Sequence, residues 1–340
     1  MSQTARLVGD VGGTNARFAL IDEQGALSSS RTLRTDDFPS LAAAISTFVD
    51  ELDGSERGRF SQAAIAVATP VVGDTIKLTN NHWSFSIEDT RAELQLERLH
   101  VVNDFTALAL SVPHLPASEL RKVGGGDAQD NHAIAVIGPG TGLGVSGLIP
   151  CGSHWNALQG EGGHVSLGVR TLREFAVYER MIGKFRHVSA ERFLSGPGLV
   201  NIVSALREID GLDERSFSPS EITSLGMRSF KQRKGETADE ATPDTSIRPS
   251  DTSTCEEALQ IFCQLLGSCA GNLVLTLGAE GGVFIGGGIV PRLGDFFAES
   301  GFRNEFEAKG RLQGYMENVP SYVIHSPYPA LVGAAQLLEH

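Results

Sequence analysis

One acidic residue stands where a predicted strand gives way to a predicted helix. The segment LERLHVVND is apolar enough to form a strand ending at Asp104, and FTALAL after it has helical character. Ligand-binding side chains of α/β folds occupy such strand ends, so Asp104 could act as a base that faces a crevice. Aspartate is also a common helix N-cap, and position alone favours the cap role over the base.

A glycine-rich turn at residues 9–15, with the sequence GDVGGTN, separates two predicted strands near the N-terminus. It lacks the lysine of a Walker A loop, and a strand follows it where a Rossmann fingerprint has a helix. Its glycines would let backbone N–H groups approach a phosphate, beside the Thr14 hydroxyl and the Asp10 carboxylate. A carboxylate next to a polyphosphate favours an intervening Mg²⁺. A plain type I′ hairpin is the alternative, and this turn alone does not decide between the two.

Two further glycine turns follow predicted strands. GPGTGLG at residues 138–144 lies between HAIAVI and LGVSGLI, and the strand GGVFIGGGIV opens into Gly286–Gly288. The first of these is similar in layout to the N-terminal turn, which is a weak internal repeat and indicates two similar halves. Each turn is a weak signal by itself, but the three together fit a nucleotide held from both sides of a cleft.

Polar side chains form two more clusters along the chain. QGEGGH contains Glu161 and His164, and HVSAE ends at Glu191 just before the predicted helix start SGPG. Glu161 and His164 lack a third nearby ligand and a cysteine cluster, so no zinc site is expected. Acidic, amide and imidazole groups suit a sugar better, because each sugar hydroxyl both donates and accepts hydrogen bonds.

The remaining pattern predicts alternating strands and helices in about two domains. Apolar spacing predicts helices at 41–53, 171–185, 197–209 and 256–278, with buried strands at 63–71 and 281–290. Residues 229–254 lack aromatic side chains after Phe230 and are rich in Ser, Thr, Asp, Pro and basic residues. Such a stretch buries too little surface to offset its ordering entropy, so it predicts a mobile surface insertion.

Composition excludes several partners. The chain of 340 residues has a formal net charge of −13, which disfavours nucleic acid and anionic lipid. No apolar run of membrane-spanning length and no signal peptide are expected. The four cysteines form no C-x-x-C pair, and the pattern predicts reduced thiols in a cytoplasmic protein.

Taken together, these motifs resemble the bacterial glucokinases, a hexokinase-like group within the actin/Hsp70/sugar-kinase superfamily. The resemblance covers nearly the whole chain and rests on motifs in the family's order: VGDVGGTNARFAL, the region from Thr69 to Phe85, VVNDFTALA, IGPGTGLGV, GEGGHV, HVSAERFLSGPGLVN, GGVFIGGGI and PYPALVGAA. The chain lacks the cysteine-rich motif that follows the histidine element in the zinc-containing branch of the superfamily.

The resemblance implies an α/β fold of two ribonuclease-H-like (actin-like ATPase) domains with a cleft between them. The small domain would comprise residues 1–112 and 322–340, and the large domain residues 113–321. The implied activity is phosphorylation of glucose to glucose 6-phosphate by Mg-ATP, without zinc and in a homodimer. Asp104 would be the catalytic base, and the sugar would contact Asn103, Asp104, Glu161, His164 and Glu191. The ATP-binding residues would be Gly9, Asp10, Val11, Gly12, Gly13, Thr14, Gly138, Gly140, Thr141, Gly142, Gly286, Gly287 and Gly288, with Asp10 near Mg²⁺.

Two other functions fit the same motifs. One is a kinase for another hexose or for an N-acetylated amino sugar. The other is a sugar-sensing regulator that keeps the fold without turnover, although the chain has no appended helix-turn-helix region and its charge is unsuited to DNA.

Overall fold

The structure is a computed structural model that describes residues 6–22, 26–53, 60–79, 81–235 and 247–338. Its strands are β1 (Arg6–Val11), β2 (Asn15–Ile21), β3 (Leu27–Arg34), β4 (Gln62–Val67), β5 (Thr75–Lys77), β6 (Ser84–Ser86), β7 (Arg98–Asn103), β8 (Leu120–Gly124), β9 (Ile134–Pro139), β10 (Leu143–Cys151), β11 (His154–Gln159), β12 (Val283–Ile285) and β13 (Ser321–Ile324). Its α-helices are α1 (Leu41–Asp50), α2 (Ile87–Glu93), α3 (Asp104–Ser111), α4 (Leu172–Lys184), α5 (Gly196–Ile209), α6 (Pro219–Arg233), α7 (Pro249–Leu277), α8 (Val290–Leu293), α9 (Asp295–Glu299), α10 (Phe302–Glu307), α11 (Gln313–Asn318) and α12 (Pro329–Gln336).

The chain divides into two compact units. The first comprises residues 1–119, 151–159 and 326–340, and the second comprises residues 120–150 and 160–325. These boundaries differ from the predicted ones at 112/113 and 321/322. Residues 151–159, which were predicted to belong to the large domain, are grouped with the first unit.

The first unit is a three-layer α/β/α arrangement around a sheet of order β3-β2-β1-β4-β7. Strands β1, β4 and β7 are parallel, whereas β2 and β3 are antiparallel neighbours. Alternate side chains of β1 point to opposite faces. Leu7 packs with Phe18 and Phe48 of α1 on one face, and Val8 packs with Leu331 of α12 on the other. Because β1, β4 and β7 are parallel, their carboxyl ends lie along one edge of the sheet.

The second sheet repeats this strand order. Its order is β11-β10-β9-β12-β13-β8, with β9 antiparallel to β10 and parallel to β12, and β12 parallel to β13. When the strands are renumbered in chain order, starting from β1 in the first sheet and from β9 in the second, both sheets have the order 3-2-1-4-5. The second sheet has one more strand, β8, which is antiparallel to β13 at its edge. In each sheet the central strand, β1 or β9, leads into a glycine turn, and in the second sheet β12 leads into another at Gly286–Gly288.

Helix α7 runs through the core of the second unit. Its 29 residues include fully buried Leu259, Phe262 and Leu266. By length and composition α7 meets the criterion for a membrane span, with a mean hydropathy of 1.5, contrary to the expectation from the sequence. However, 67% of the most apolar 18-residue stretch of α7 is buried within the chain. This burial is typical of a central core helix.

The insertion predicted at residues 229–254 is wrong at both ends. Helix α6 continues to Arg233, and α7 begins at Pro249. Asp251 in the first turn of α7 is fully buried, where it pairs with Arg207 at 2.7 Å and Arg215 at 2.6 Å. These ion pairs compensate the buried charge of Asp251 and join the start of α7 to the core, contacts that the polar composition of the segment did not predict. Residues 236–246 lie outside the described residues.

Glycine at position 333 lets α12 pack directly on α3. A Cβ atom there would lie 1.7 Å from the backbone oxygen of Ala107. We expect Gly333→Ala to lower the free energy of unfolding by about 2 kcal/mol or more, because the clash is with backbone and cannot be relieved by a rotamer change. Urea denaturation measures the change. Gly314→Ala is the matched control, since nothing lies within 4 Å of its Cβ position, and equal stability of the two variants would contradict the packing argument.

Candidate active site

Three polar residues lie along the carboxyl edge of the first sheet. Asp10 is in β1, Asn103 ends β7, and Asp104 begins α3. The N-cap of α3 is Asn103, whose Oδ1 accepts hydrogen bonds from the backbone N–H groups of Phe105 (2.9 Å) and Thr106 (3.4 Å). Asp104 is the first helical residue, and its Oδ1 accepts one bond, from the N–H of Phe105 at 2.9 Å. The cap role favoured for Asp104 therefore belongs to its neighbour.

Both carboxylates at this edge hold their protons more tightly than usual. Burial, together with the negative charge of Asp10, raises the pKa of Asp104 to about 6, against the lowering effect of hydrogen bonds such as that from the Phe105 N–H. Burial also raises the pKa of Asp10, which the positive charge of Arg17 partly counteracts. The resulting Asp104 carboxyl is matched to proton transfer near neutral pH.

The first glycine turn borders a cleft of about 300 Å³, lined by Asp10, Gly12, Gly13, Thr14, Asn15 and Arg17. The turn is narrow, since the Gly12 N–H donates to Asn15 O at 2.9 Å. Arg17 lies directly opposite Asp10 across the β1–β2 pair, so both side chains are on the same face. The cleft thus has a carboxylate, a guanidinium, a hydroxyl and an exposed glycine backbone, a combination that suits a phosphate with its counter-ion.

Two residues predicted to bind the nucleotide pack in the core. A Cβ at Gly9 would lie 2.7 Å from Ile65 Cδ1 and 2.9 Å from Phe18 Cδ1, so glycine is required there for packing. The side chain of Val11 is fully buried. Neither residue is among those that line the cleft.

Sequence reasoning missed two residues that shape this turn. Arg17 is held by its Nε bond to Thr32 Oγ1 at 3.0 Å and by the ring of Tyr328, 4.7 Å from the guanidinium carbon. Thr35, fully buried, donates from Oγ1 to Gly13 O and from its N–H to Thr14 O, both at 3.0 Å. The only sequence signal for Arg17 was the alternation of side chains along β2. That alternation places Arg17 beside Asp10 only when the β1–β2 register is known.

In the second unit, the structure brings the other two glycine turns together. The N–H of Gly286 donates to Ile137 O at 2.9 Å, and that of Ile289 donates to Pro139 O at 3.3 Å. Gly287 has φ of +78°, and a Cβ there would lie 2.3 Å from Pro139 O. Only glycine fits such a conformation at such a distance. The segments predicted as separate phosphate and adenosine contacts are therefore adjacent, with Thr141 exposed between Gly140 and Gly142.

The predicted sugar-binding residues of this unit lie beside the same hairpin. Glu161 and His164 belong to one short turn, in which the His164 N–H donates to Glu161 O at 3.0 Å. That turn packs tightly on β10, since a Cβ at Gly163 would lie 2.1 Å from Leu143 O. Glu191 accepts a bond from the Leu143 N–H at 2.9 Å. His187, which the sequence reasoning did not single out, donates from Nε2 to His164 O at 2.8 Å.

The site residues therefore form one group in each unit. Asp10, Asn103, Asp104 and the first glycine turn share an edge of the first unit. Glu161, His164, Glu191, Gly138–Gly142 and Gly286–Gly288 surround the junction of β9 and β10 in the second. Among the described residues, no three His, Cys, Asp or Glu side chains form a metal-binding cluster.

Two sheets of order 3-2-1-4-5, each with a glycine turn after its central strand, define an actin-like ATPase fold of the sugar-kinase type. A sequence model of the Glucokinase family matches residues 7–340. The chain is 48% identical to a glucokinase of Aromatoleum aromaticum over 98% of this chain and 95% of that one. It is 47% identical to a glucokinase of Chromobacterium violaceum over 98% and 90%.

The structure of a glucokinase from an Antarctic psychrotroph is similar throughout, with a TM-score of 0.83, 32% identity and 98% of both chains covered. The chain belongs to the glucokinase family. The predicted family and the predicted α/β fold of two ribonuclease-H-like domains are confirmed.

The burial of Asp104 predicts a stability that depends on pH. The folded state holds its proton more tightly than the unfolded chain, so stability falls as the pH rises from about 4 to about 6. The ionised carboxylate then costs about 2–3 kcal/mol at neutral pH. We expect Asp104→Asn to be more stable than the wild type by about that amount at pH 7 and by little at pH 4, as measured by urea denaturation at both values.

Asp127→Asn is the matched control, because its side chain is fully exposed and pairs only with half-exposed Lys122. It should change stability little at either pH. If Asp104→Asn has the same effect on stability at pH 4 and pH 7, the carboxyl does not titrate in a desolvated position.

Proposed function

We propose that this chain catalyses transfer of the γ-phosphoryl group of ATP to glucose, giving glucose 6-phosphate and ADP. Membership of the glucokinase family over residues 7–340 supports the reaction. The observation that carries the mechanism is the position of Asp104, half-buried at the carboxyl edge of β1, β4 and β7 with a pKa of about 6.

Asp104 acts as the general base. Above its pKa, its carboxylate takes the proton from the sugar hydroxyl as the hydroxyl oxygen forms a bond to the γ-phosphorus. The bond from that phosphorus to the bridging oxygen breaks, and ADP leaves with the electron pair. Oδ1 accepts the Phe105 N–H. The hydrogen bonds to this carboxylate lower its pKa less than burial and the charge of Asp10 raise it, so Asp104 remains a stronger base than an ordinary aspartate.

The cleft of the first glycine turn supports a phosphate site. Arg17 and the backbone of Gly12 and Gly13 would lie against phosphate oxygens, and the Thr14 hydroxyl would add a donor. A metal held jointly by Asp10 and the phosphates would fit the donor set, because one half-buried carboxylate beside a phosphate site leaves the substrate to supply the other oxygens. Mg²⁺ would offset phosphate charge there.

The polar group of the second unit supports a sugar site. Glu161, His164 and Glu191 offer carboxylate and imidazole groups on turns fixed by backbone bonds. Such groups match the hydroxyls of a hexose and would be left unpaired by a ligand that lacks them. Gly138–Gly142 and Gly286–Gly288 would contact the nucleotide.

Replacing the base tests the mechanism. Asp104→Asn should reduce kcat by roughly 10²–10⁴-fold and leave glucose affinity within a few fold, because the amide keeps the shape but cannot accept the proton. A coupled assay gives kcat, and calorimetric titration gives the glucose Kd. Turnover close to that of the wild type would contradict the assignment of the base.

The pH profile provides a second test of the same group. Since the base must be ionised, we expect wild-type kcat/KM to fall about tenfold per pH unit below about pH 6. The residual activity of Asp104→Asn should lack that inflection. An inflection retained in the variant would assign it to another group.

Replacing Arg17 tests the phosphate cleft. Arg17→Gln should raise the KM for ATP about tenfold with little effect on the KM for glucose, because it removes a charge-assisted contact. Arg31→Gln is the charge-matched control: Arg31 lies on β3 and its side chain is 51% exposed, paired with Glu51. If both variants have the same ATP KM, Arg17 does not contact the nucleotide.

One panel of sugars distinguishes the proposed glucokinase from kinases for other acceptors and from a regulator without turnover. Initial rates with ATP on glucose, mannose, fructose and N-acetylglucosamine would separate a glucokinase from a kinase of another hexose or amino sugar. Binding of glucose without turnover on any of them would indicate the regulator. Glucose as the best substrate by kcat/KM is the expected result.

A homodimer and a cytoplasmic location stay predictions. Helix α4 exposes Leu172, Phe175 and Ile182, with Leu172 90% exposed. A second copy of the chain is expected to cover this apolar stripe. Light scattering should give twice the monomer mass, and Phe175→Ser with Ile182→Ser should reduce it if α4 forms the interface.

A further inference from the structure

Glu191 contacts the glycine hairpin of the second unit directly. Its Oε2 accepts the N–H of Leu143 at 2.9 Å, and Leu143 is the first residue of β10 after the hairpin. A Cβ at Gly142 would lie only 2.5 Å from the same oxygen. The carboxylate therefore occupies the space that any side chain at position 142 would need.

The segment that carries Glu191 has a second attachment to this hairpin. Ser195 Oγ donates to the backbone oxygen of Glu191 at 2.7 Å and accepts the Gly198 N–H at 3.0 Å, as the N-cap of α5. Gly196 in the first turn of α5 donates its N–H to Gly140 O at 2.8 Å. Since both ends of the segment are bonded to the hairpin, a shift of Glu191 must displace the hairpin or break these bonds.

The two oxygens of this carboxylate have different surroundings. Oε2 is bonded to Leu143, whereas Oε1 has no hydrogen-bond partner within the described residues. Glu191 is half-buried, so a lone carboxylate oxygen here is available to a ligand hydroxyl at low desolvation cost. One side chain thus offers a fixed oxygen to the protein and an open one to a ligand.

We infer that Glu191 is a positioning residue for the phosphate hairpin as well as a sugar contact, so that the sites for sugar and nucleotide are linked through one carboxylate. The inference rests on the proposed function, since it takes the hairpin as a nucleotide contact and Oε1 as a sugar contact. A sugar hydroxyl on Oε1 restrains the carboxylate, and the restrained Oε2 fixes Gly142 and Leu143. Each substrate then binds more tightly when the other is present.

Two substitutions separate the roles of the two oxygens. In Glu191→Gln the amide oxygen can still accept the Leu143 N–H, but an NH₂ group replaces the open oxygen. In Glu191→Ala both functions are lost. Gly142→Ala keeps Glu191, but its methyl group would occupy the position of Oε2. The carboxylate should therefore shift, and Oε1 should move out of the proposed sugar site.

Calorimetric titrations of the full chain provide the test, with glucose in the absence of nucleotide and with the ATP analogue AMPPNP in the absence of glucose. We expect Glu191→Ala to weaken AMPPNP binding by roughly 5–10-fold, less than the full loss of a charge-assisted hydrogen bond, because the lost bond positions the hairpin without contacting the nucleotide. Glu191→Gln should leave AMPPNP binding within about twofold of the wild type while weakening glucose about tenfold. Gly142→Ala should weaken glucose by a similar factor with no nucleotide present.

Gly183→Ala is the matched glycine control, because nothing lies within 4 Å of its Cβ position on α4. Wild-type AMPPNP affinity in Glu191→Ala, or wild-type glucose affinity in Gly142→Ala, would overturn the inference. Failure of the proposed function has a different signature, namely a wild-type chain that does not phosphorylate glucose. Thermal melts confirm folding, and Glu191→Gln keeps the test decisive if Glu191→Ala does not fold.

Discussion

Asp10 and Asp104 are both held away from water at one edge of the first sheet, near enough for the charge of Asp10 to raise the pKa of Asp104. This like-charge proximity disfavours the ionised state that a general base needs. Contacts around the two carboxylates therefore have to stabilise this edge of the sheet. Asn103 caps α3 and bonds Thr69 O at 3.3 Å, Arg17 opposes Asp10 across the β1–β2 pair, and Gly333 lets α12 pack directly on the backbone of α3. Packing and capping bonds around the site offset the stability lost through desolvated charge.

Close backbone approach is the corresponding constraint in the second unit. The turn at Gly286–Gly288 lies on Pro139 at a distance that no side chain at Gly287 would allow, and Gly163 lies as tightly on Leu143. Such contacts bring three chain segments, distant in sequence, to the start of β10. Glu191 adds a charged hydrogen bond to the same point. Because the segments are fixed to each other through backbone atoms, their polar side chains are positioned before any ligand arrives, which lowers the ordering cost of binding.

Local pattern predicted those features that depend on neighbours in sequence. The strand ending before Asp104, the glycine turns and the repeat of two halves follow from apolar runs and turn residues, and the repeat reappears as the same strand order in both sheets. Features that depend on register or tertiary pairing were missed. Asn103 took the cap because its amide oxygen reaches two N–H groups, a difference of one residue that composition does not encode. The buried pairing of Asp251 with Arg207 likewise could not be inferred from a polar stretch.

The two halves share a fold but not a chemistry, and the hairpin sequences explain why. In the first, the β1–β2 register sets Asp10 opposite Arg17 on one face, so a carboxylate and a guanidinium border the glycine turn. In the second, the β9–β10 register sets Pro139 opposite Leu143, two residues without charge. A site that must bind a metal-associated phosphate needs the first arrangement, because oxygen ligands and a cation supply charge that glycine amides alone do not. The second hairpin offers backbone groups and the Thr141 hydroxyl but no charged side chain, and the carboxylate bonded to it comes from Glu191 on a separate segment. The same strand order therefore carries one hairpin flanked by paired charges and another bonded to Glu191, the residue proposed to contact the sugar.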